Sequence, residues 1–201
     1  MNQNQLTFNF VAEIGCNHQG NLKFAFKMID TLANFCDIKY VKFQKRNPIE
    51  LLGKKRYNEP HPVPENSFGK TYGLHREKLE FSYSQHKKIK KYCKSRKIEY
   101  MCSAWDITSL KQLIKLKLNH IKIPSACNNN KELLEYLFKN FKGICHISLG
   151  MTNLKEENQI INLAKKYKKL KKLILYACTS DYPVKQNDIC LFEITRLKKN
   201  T

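Results

Sequence analysis

Short apolar segments alternate with amphipathic ones along most of this chain. Residues 8–19 form an apolar segment that ends in Glu13, a glycine and further polar side chains, which is typical of a strand and the turn after it. Apolar residues recur at helical spacing over residues 21–35, and residues 38–44 are rich in β-branched and aromatic types. The order strand, helix, strand favours parallel pairing with a right-handed crossover.

The same alternation returns after a break. Residues 45–82 contain four of the six prolines and show no sustained period, so we expect a long functional loop there rather than a helix. Beyond it the pattern predicts helices over 84–97, 107–118, 131–141 and 153–169, strands over 98–103, 120–123, 143–148 and 173–177, and a further helix over 190–199. The whole sequence therefore predicts six parallel strands.

Two α/β architectures are compatible with this order of elements. Six strand–helix units fit either a doubly wound open sheet or part of an eight-fold barrel. Each predicted strand ends in polar side chains, which the mouth of a barrel requires and a sheet with a single binding crevice does not. We therefore predict an incomplete TIM (β/α)8-type barrel of about six βα units, with residues 1–201 forming one partial domain.

The polar residues at the strand ends form the candidate site. In chain order they are Glu13, Lys42, Gln44, Ser103, Trp105, Asp106, Lys122, Ser125, Ser148, Thr179, Ser180 and Tyr182. Lys42 and Lys122 lie inside apolar strands, so neither amino group reaches bulk water easily and each charge needs a partner. A salt bridge to a carboxylate such as Glu13 explains either lysine alone. The pair, surrounded by hydroxyl groups, favours a site for a phosphate or a carboxylate.

Composition and charge exclude several classes of protein. The chain has 201 residues, 42% of them hydrophobic, which is typical of a folded domain. No apolar run approaches the roughly 20 residues of a membrane helix, and residues 1–6 lack the features of a signal peptide, so we expect a cytoplasmic protein without membrane contact. The net charge of +20 suggests a nucleic-acid partner, but the lysines are dispersed without interleaved aromatic residues, and we expect none.

The eight cysteines are spread singly along the chain and no CxxC pair occurs. Cys102, Cys145 and Cys178 fall in apolar, strand-like segments, where a reduced thiol packs as a small hydrophobic group. We therefore predict free thiols buried in the core rather than disulfides.

Common catalytic motifs are absent. The chain contains no GxGxxG, GxxxxGK[ST], HExxH or GxSxG, which leaves dinucleotide-binding, P-loop, zincin and hydrolase functions without support. Three interpretations of His18 are open, namely a general acid or base, a metal ligand and a structural residue. A lone imidazole is more often a hydrogen-bonded structural residue. We interpret His120 and His146 as structural.

Seven short motifs resemble the sialic acid synthase family in order and spacing. They are AEIGCNHQG at 12–20, VKFQ at 41–44, LEFS at 79–82, CSAWD at 102–106, IKIPSA at 121–126, SLGM at 148–151 and CTSDYP at 178–183. From about residue 8 onward, the chain is similar to the N-terminal barrel domain of this family. The resemblance implies that phosphoenolpyruvate condenses with an N-acetylated amino sugar, typically N-acetylmannosamine, to give a nine-carbon 2-keto acid and phosphate.

The resemblance also implies roles for individual residues. Those that would hold phosphoenolpyruvate are Lys42, Ser103, Lys122, Ser125 and Ser148. Those that would contact the sugar or line its pocket are Gln44, Ser180 and Tyr182, and Trp105 would be a further substrate-binding residue. Glu13 would act as the catalytic residue near the reacting carbons and the attacking water. A divalent metal, Mn²⁺ or Mg²⁺, would polarise the sugar aldehyde.

In the family, the metal-binding histidines, two further strand–helix units and a C-terminal antifreeze-like domain follow the CTSDYP segment. On this resemblance we expect no metal ligands in this chain and little or no activity from it alone. A second copy of the chain or a complementing C-terminal polypeptide is the expected protein partner.

The acceptor sugar stays open. Trp105 stands in a motif that usually reads STPFD in the family, Ser180 stands where some members have asparagine, and residues 128–130 also depart from the family pattern. A legionaminate-type or pseudaminate-type synthase is therefore an alternative. An alternative from a different class of function is that the chain is a non-catalytic remnant or a basic binding module.

Overall fold

Six parallel strands form one sheet in this protein. The structure is a computed structural model that describes residues 9–200. The strands are β1 (Val11–Gly15), β2 (Tyr40–Lys45), β3 (Glu99–Ala104), β4 (His120–Ile123), β5 (Ile144–Ser148) and β6 (Leu173–Tyr176). The helices are α1 (Leu22–Phe35), α2 (Pro48–Asn58), α3 (Tyr72–Leu79), α4 (Tyr83–Ser95), α5 (Ile107–Lys115), α6 (Lys131–Asn140), α7 (Leu154–Lys166) and α8 (Phe192–Asn200). Phe8, which belongs to the first apolar segment, lies outside the described range. So do residues 1–6, which were examined for a signal peptide.

The strands follow one another across the sheet in the order β1-β2-β3-β4-β5-β6, and every neighbouring pair is parallel. A doubly wound sheet reverses its strand order at a switch point, whereas a (β/α) barrel keeps it sequential. The prediction of an incomplete barrel-type fold is therefore confirmed. Over the described residues the sheet is open, with β1 and β6 at its edges.

The two faces of the sheet differ in polarity because successive side chains point to opposite sides. Val41, Phe43 and Ile121 are fully buried in one hydrophobic core with apolar residues of the helices. The alternate positions carry the polar residues, among them Lys42 and Lys122. We call the side that bears these lysines the polar face.

Polar side chains cap the helices that follow the strands. Asn21 accepts hydrogen bonds from the first backbone N–H groups of α1, and Ser82 and Asn153 form capping boxes on α4 and α7. Asp106, which the sequence places at the end of the third strand, accepts a 2.6 Å hydrogen bond from the backbone N–H of Ser109 and begins α5. Asp106 thus fixes the turn above β3 and does not face the candidate site.

The prediction of a long loop over residues 45–82 is wrong in part, because α2 and α3 lie within it. Proline is favoured in the first turn of a helix, and Pro48 begins α2 directly after Asn47. Gly53 interrupts α2 with a φ of 63°, a conformation that side chains disfavour, so no sustained helical period is visible in the sequence.

Three predicted helices extend too far. They end at Ser95, Lys115 and Lys166 rather than at 97, 118 and 169. Lys97, Lys117 and Lys168 follow these ends with φ values of 58°, 53° and 55°. Glycine is the residue that usually adopts this left-handed conformation after a helix. Since lysine also favours helices, the sequence carries no stop signal at these points.

All eight cysteines are free, as predicted. Cys93, Cys102 and Cys145 are buried in the core, but Cys36, Cys178 and Cys190 are exposed, so the prediction of core positions is wrong for these three. Cys178 lies beyond the end of β6 rather than in a core strand. Within residues 9–200, none of the helices has the length and apolar composition that a membrane crossing requires.

Candidate anion-binding site

Lys42 and Lys122 come together on the polar face of the sheet. The amino group of Lys42 forms an ion pair with Glu13 and lies 3.4 Å from the hydroxyl oxygen of Ser103. Lys122 stands beside Ser103 in the register of β3 and β4, and its Nζ lies 5.6 Å from the centre of the Tyr176 ring. The two amino groups lie close enough for the charge of Lys122 to lower the pKa of Lys42, and we call the space above them on the polar face the opening.

This opening carries an excess of positive charge. Burial, and next the charge of Lys122, lowers the pKa of Lys42 from 10.5 to about 8. Burial also lowers the pKa of Lys122. Glu13 is the carboxylate that pairs with Lys42, and its side chain is 52% exposed, whereas the side chain of Lys42 is 13% exposed. Two partly buried lysines with one half-exposed carboxylate leave positive charge uncompensated, and a bound anion would raise the pKa of both lysines again.

Hydroxyl groups form one side of the opening. A Cβ at Gly150 would overlap the hydroxyl oxygen of Ser180 and would lie 2.7 Å from that of Ser125, so these two serines meet at the glycine. The buried side chain of Asn128 donates hydrogen bonds to the carbonyls of Ser148 and Gly150, at 2.8 and 3.1 Å. Asn128 therefore positions the turn after β5, a role that the sequence did not predict.

Cys178 is a further residue at this opening that the sequence analysis did not include. Its thiol donates to the hydroxyl of Ser148 at 3.4 Å, and it lies close enough to both lysines to influence their pKa values. Thr179 points elsewhere, since its hydroxyl donates to the carbonyl of Asp188. The position of Cys178 just after β6 is the sequence signal that could have identified it.

A chain of hydrogen bonds continues along the polar face next to Lys122. His120 Nδ1 lies 2.9 Å from His146 Nε2, and His146 Nδ1 lies 2.9 Å from the hydroxyl of Tyr176. Burial, followed by the charges of His120 and the lysines, lowers the pKa of His146 to about 3. The imidazole is therefore neutral near pH 7 and adds no third positive charge. Both histidines have the hydrogen-bonded surroundings that a structural interpretation predicts.

The structure does not bring all predicted substrate-binding residues to the two lysines. The amide nitrogen of Gln44 donates to the sulfur of Cys16 at 2.7 Å. Trp105 packs near Arg46, whose guanidinium carbon lies 5.9 Å from the centre of the indole ring. Tyr182 is 98% exposed. These residues surround the opening or lie beyond it, while Glu13 and Ser103 are in direct contact with Lys42.

His18 is buried and has a structural environment. Its ring stacks on Phe81 with a centroid distance of 4.0 Å, and its Nδ1 accepts a hydrogen bond from the backbone N–H of Gly20. Burial lowers the pKa of His18 to about 4, so the ring stays neutral at pH 7. Of the three interpretations left open for His18, the structural one fits these contacts.

A metal ion does not fit the described part of the chain. Among residues 9–200, no three histidine, cysteine, aspartate or glutamate side chains come together in a way that could hold one. The residues of the candidate site supply two cations, a carboxylate and several hydroxyl groups. The metal ligands that the resemblance places on later strands have no counterpart among them.

Comparison with known sequences connects this geometry to one family. A family model described as the NeuB family matches residues 28–201. The chain is 32% identical to N-acetylneuraminate-9-phosphate synthase of Homo sapiens over 189 residues, which cover 94% of this chain and 51% of that relative. It is 30% identical to N,N'-diacetyllegionaminic acid synthase of Campylobacter jejuni over 94% of this chain and 56% of that protein. The chain thus spans about half the length of the curated relatives it matches.

Solved structures share the fold. N-acetylneuraminic acid synthetase from Leptospira borgpetersenii, solved in complex with citrate, superposes with a TM-score of 0.81 at 26% identity and covers 95% of this chain and 61% of its own. A spore coat polysaccharide biosynthesis protein from Bacillus subtilis gives 0.75 at 20% identity, covering 96% of this chain and 49% of its own. A truncated 3-deoxy-D-arabino-heptulosonate 7-phosphate synthase from Thermotoga maritima, at 0.57 and 11% identity, covers 84% and 50% and is similar in fold alone.

Proposed function

Since this chain belongs to the NeuB family of sialic acid synthases, we propose that it forms the part of a synthase site that binds phosphoenolpyruvate. Lys42 and Lys122 hold the phosphate and the carboxylate of this substrate, and the hydroxyl groups of Ser103, Ser125 and Ser148 donate further hydrogen bonds. The second substrate is N-acetylmannosamine or a related N-acetylated amino sugar. Cytoplasm is the proposed location, and a second copy or a complementing C-terminal polypeptide is the proposed protein partner.

The observation that carries this proposal is the charge of the opening. Two lysines have lowered pKa values, and the one half-exposed carboxylate, Glu13, pairs with Lys42 alone. A small, doubly or triply charged anion compensates such a site, whereas a neutral ligand leaves the lysines unpaired. The Leptospira relative, which was solved with citrate, is an example of a protein of this fold in complex with a polycarboxylate.

The reaction follows from the polarity of the two substrates. The methylene carbon of phosphoenolpyruvate attacks the aldehyde carbon of the sugar and forms the new C–C bond. Water then adds to the resulting cationic carbon C2, and the C2–O bond to phosphate breaks, which gives the 2-keto acid and inorganic phosphate. In this proposal Glu13, next to Lys42, takes the proton of the attacking water, while the lysines stabilise the departing phosphate.

Calorimetric titration with phosphoenolpyruvate tests the proposal directly. We expect the 201-residue chain to bind phosphoenolpyruvate at neutral pH more tightly than either pyruvate or inorganic phosphate, because both lysines are engaged at once. Binding is measured rather than turnover, since these residues form only the anion-binding part of the proposed site. A chain that binds none of the three compounds at millimolar concentration would be the non-catalytic remnant of the alternative interpretation.

Gly150→Ala gives a second test at the hydroxyl side of the opening. The added Cβ displaces the hydroxyl groups of Ser180 and Ser125, and it meets side-chain ends rather than packed backbone. We expect roughly a tenfold loss of affinity for phosphoenolpyruvate, as the loss of a charge-assisted hydrogen bond would cause. The midpoint of urea unfolding should hardly change. Unaltered affinity would place the anion away from Ser125.

A second candidate keeps the chemistry and changes the acceptor to a di-N-acetylated sugar that yields a legionaminate-like product. The 30% identity to the Campylobacter enzyme over 94% of this chain supports it. Titration of both amino sugars onto the chain already saturated with phosphoenolpyruvate distinguishes the two candidates by their relative affinities.

A further inference from the structure

The two lysines of the candidate site differ in how their charges are stabilised. Lys42 forms an ion pair with Glu13. Within residues 9–200, no carboxylate lies at ion-pair distance from the amino group of Lys122. This amino group lies over the face of the Tyr176 ring, 5.6 Å from the ring centre. The face of an aromatic ring attracts a cation, most strongly where water is largely excluded, so the ring stabilises the charge of Lys122.

Tyr176 is held in place by the hydrogen-bonded chain that runs through His146 to His120. Burial raises the pKa of Tyr176, so the phenol keeps its proton near pH 7. Its hydroxyl has no hydrogen-bond partner other than His146 Nδ1 within residues 9–200, so the O–H donates to that nitrogen. The neutral imidazole of His146 then carries its hydrogen on Nε2 and donates to His120 Nδ1. The chain of donors therefore runs in one direction and fixes the position of the phenol.

The register of the sheet places this hydrogen-bonded chain beside Lys122. Lys122 pairs with His146 across β4 and β5, and Tyr176 pairs with Ser148 across β5 and β6. His120 precedes Lys122 by two residues on β4 and so lies on the same face of the sheet. The two histidines and the tyrosine all lie outside the seven motifs that carry the family resemblance. They are therefore an addition to the residues to which that resemblance gives a role.

We propose that Tyr176 is a positioning residue for Lys122 and is itself fixed by His146 and His120. The inference rests on the proposed function, in which Lys122 holds one anionic end of phosphoenolpyruvate. A carboxylate partner would offer oxygens that compete with the ligand for the amino group, whereas the face of the ring offers none. The ring thus keeps the cation in place and leaves its N–H groups available to the anion.

Tyr176→Leu tests the contact between the ring and the amino group. Leucine keeps an apolar side chain beside Lys122 and removes the aromatic face. We expect about a tenfold loss of affinity for phosphoenolpyruvate in calorimetric titration. We also expect the pKa of Lys122 in the free chain to fall by about 1, because the charged form loses its stabilising partner. NMR of lysines labelled with ¹³C at Cε measures this pKa, and Lys122→Arg assigns the signal.

Tyr176→Phe and His146→Leu test the hydrogen bond that fixes the phenol. Both variants keep the ring over Lys122 and remove the bond between the two side chains, so each should weaken phosphoenolpyruvate binding by roughly threefold. The double variant should lose no more than either single variant, because both changes remove the same interaction. Losses that add up in the double variant, or unaltered affinity in both single variants, would overturn the role of the histidines.

Tyr136→Leu is the matched control. Tyr136 on α6 makes a similar contact with Lys111 on α5, whose Nζ lies 5.5 Å from the ring centre, but this contact joins two helices. Its removal should leave the affinity for phosphoenolpyruvate and the pKa of Lys122 as in the unchanged chain.

A Tyr176→Leu variant with the affinity and the Lys122 pKa of the unchanged chain would overturn the inference. Circular dichroism and urea unfolding check that each variant is folded, and if Tyr176→Leu does not fold, Tyr176→Phe and His146→Leu decide. Absence of phosphoenolpyruvate binding to the unchanged chain would instead contradict the proposed function. The Lys122 titration in the free chain needs no ligand, so the two failures are distinguishable.

Discussion

Replacing either Lys42 or Lys122 with alanine is expected to lower the affinity for phosphoenolpyruvate about 100-fold or more. Each lysine would pair with one anionic end of the ligand in a partly buried site, so removing one amino group leaves a ligand charge desolvated and unpaired. Calorimetric titration at neutral pH measures the loss. The two variants should behave alike, since neither cation alone compensates both ends of the ligand.

Lys39→Ala is the control for this experiment. Lys39 directly precedes β2 and is exposed at the opposite end of the strand from the opening, so its loss changes the net charge equally. The affinity of the Lys39→Ala variant for phosphoenolpyruvate should match that of the unchanged chain. Lys122→Ala should also keep the stability of the fold, because it removes a partly buried charge that has no ion-pair partner within the described residues. Ordinary binding by either lysine variant would contradict the proposed site.

Glu80→Ala is expected to lower the free energy of unfolding by about 3 to 5 kcal/mol. The carboxylate of Glu80 accepts hydrogen bonds from both the side chain and the backbone N–H of Arg46, and both side chains of the pair are almost completely buried. Without Glu80 the guanidinium of Arg46 stays buried as an uncompensated charge. Urea unfolding followed by circular dichroism measures the change.

The ion pair of Arg56 and Glu59 provides the comparison. Its side chains are 49% and 35% exposed, so water screens the interaction, and Glu59→Ala should cost no more than about 1 kcal/mol. If Glu80→Ala were as mild as Glu59→Ala, the ion pair of Arg46 and Glu80 would not hold the segment after β2 in place.

Local pattern was sufficient to predict the sheet and the two lysines. Each lysine interrupts an apolar strand, and a period of two places such residues on the face opposite the helices. Ser103, on the strand between them, is paired with Lys122, and the amino group of Lys42 lies 3.4 Å from its hydroxyl oxygen, so both lysines reach the same part of this face. The strands were therefore predicted nearly at their observed bounds.

The ion pair after β2 and the turn after β5 could not be predicted in this way. Arg46 meets Glu80 across 34 residues of chain, and Asn128 meets the carbonyl of Gly150 across 22 residues. Such contacts depend on how the loops fold back over the sheet, which no local period encodes. Pro48 was misleading for a related reason, because proline both ends helices and begins them.

The titration of Lys42 itself tests the account most directly. Lysine side chains labelled with ¹³C at Cε report the protonation of the amino group by NMR, and Lys42→Arg assigns the signal. We predict a pKa of about 8 for Lys42 in the free chain and a higher value with phosphoenolpyruvate bound, since a nearby anion favours the charged form. A Lys42 signal that titrates near its ordinary pKa of 10.5, and does not respond to phosphoenolpyruvate, would contradict a shared anion site.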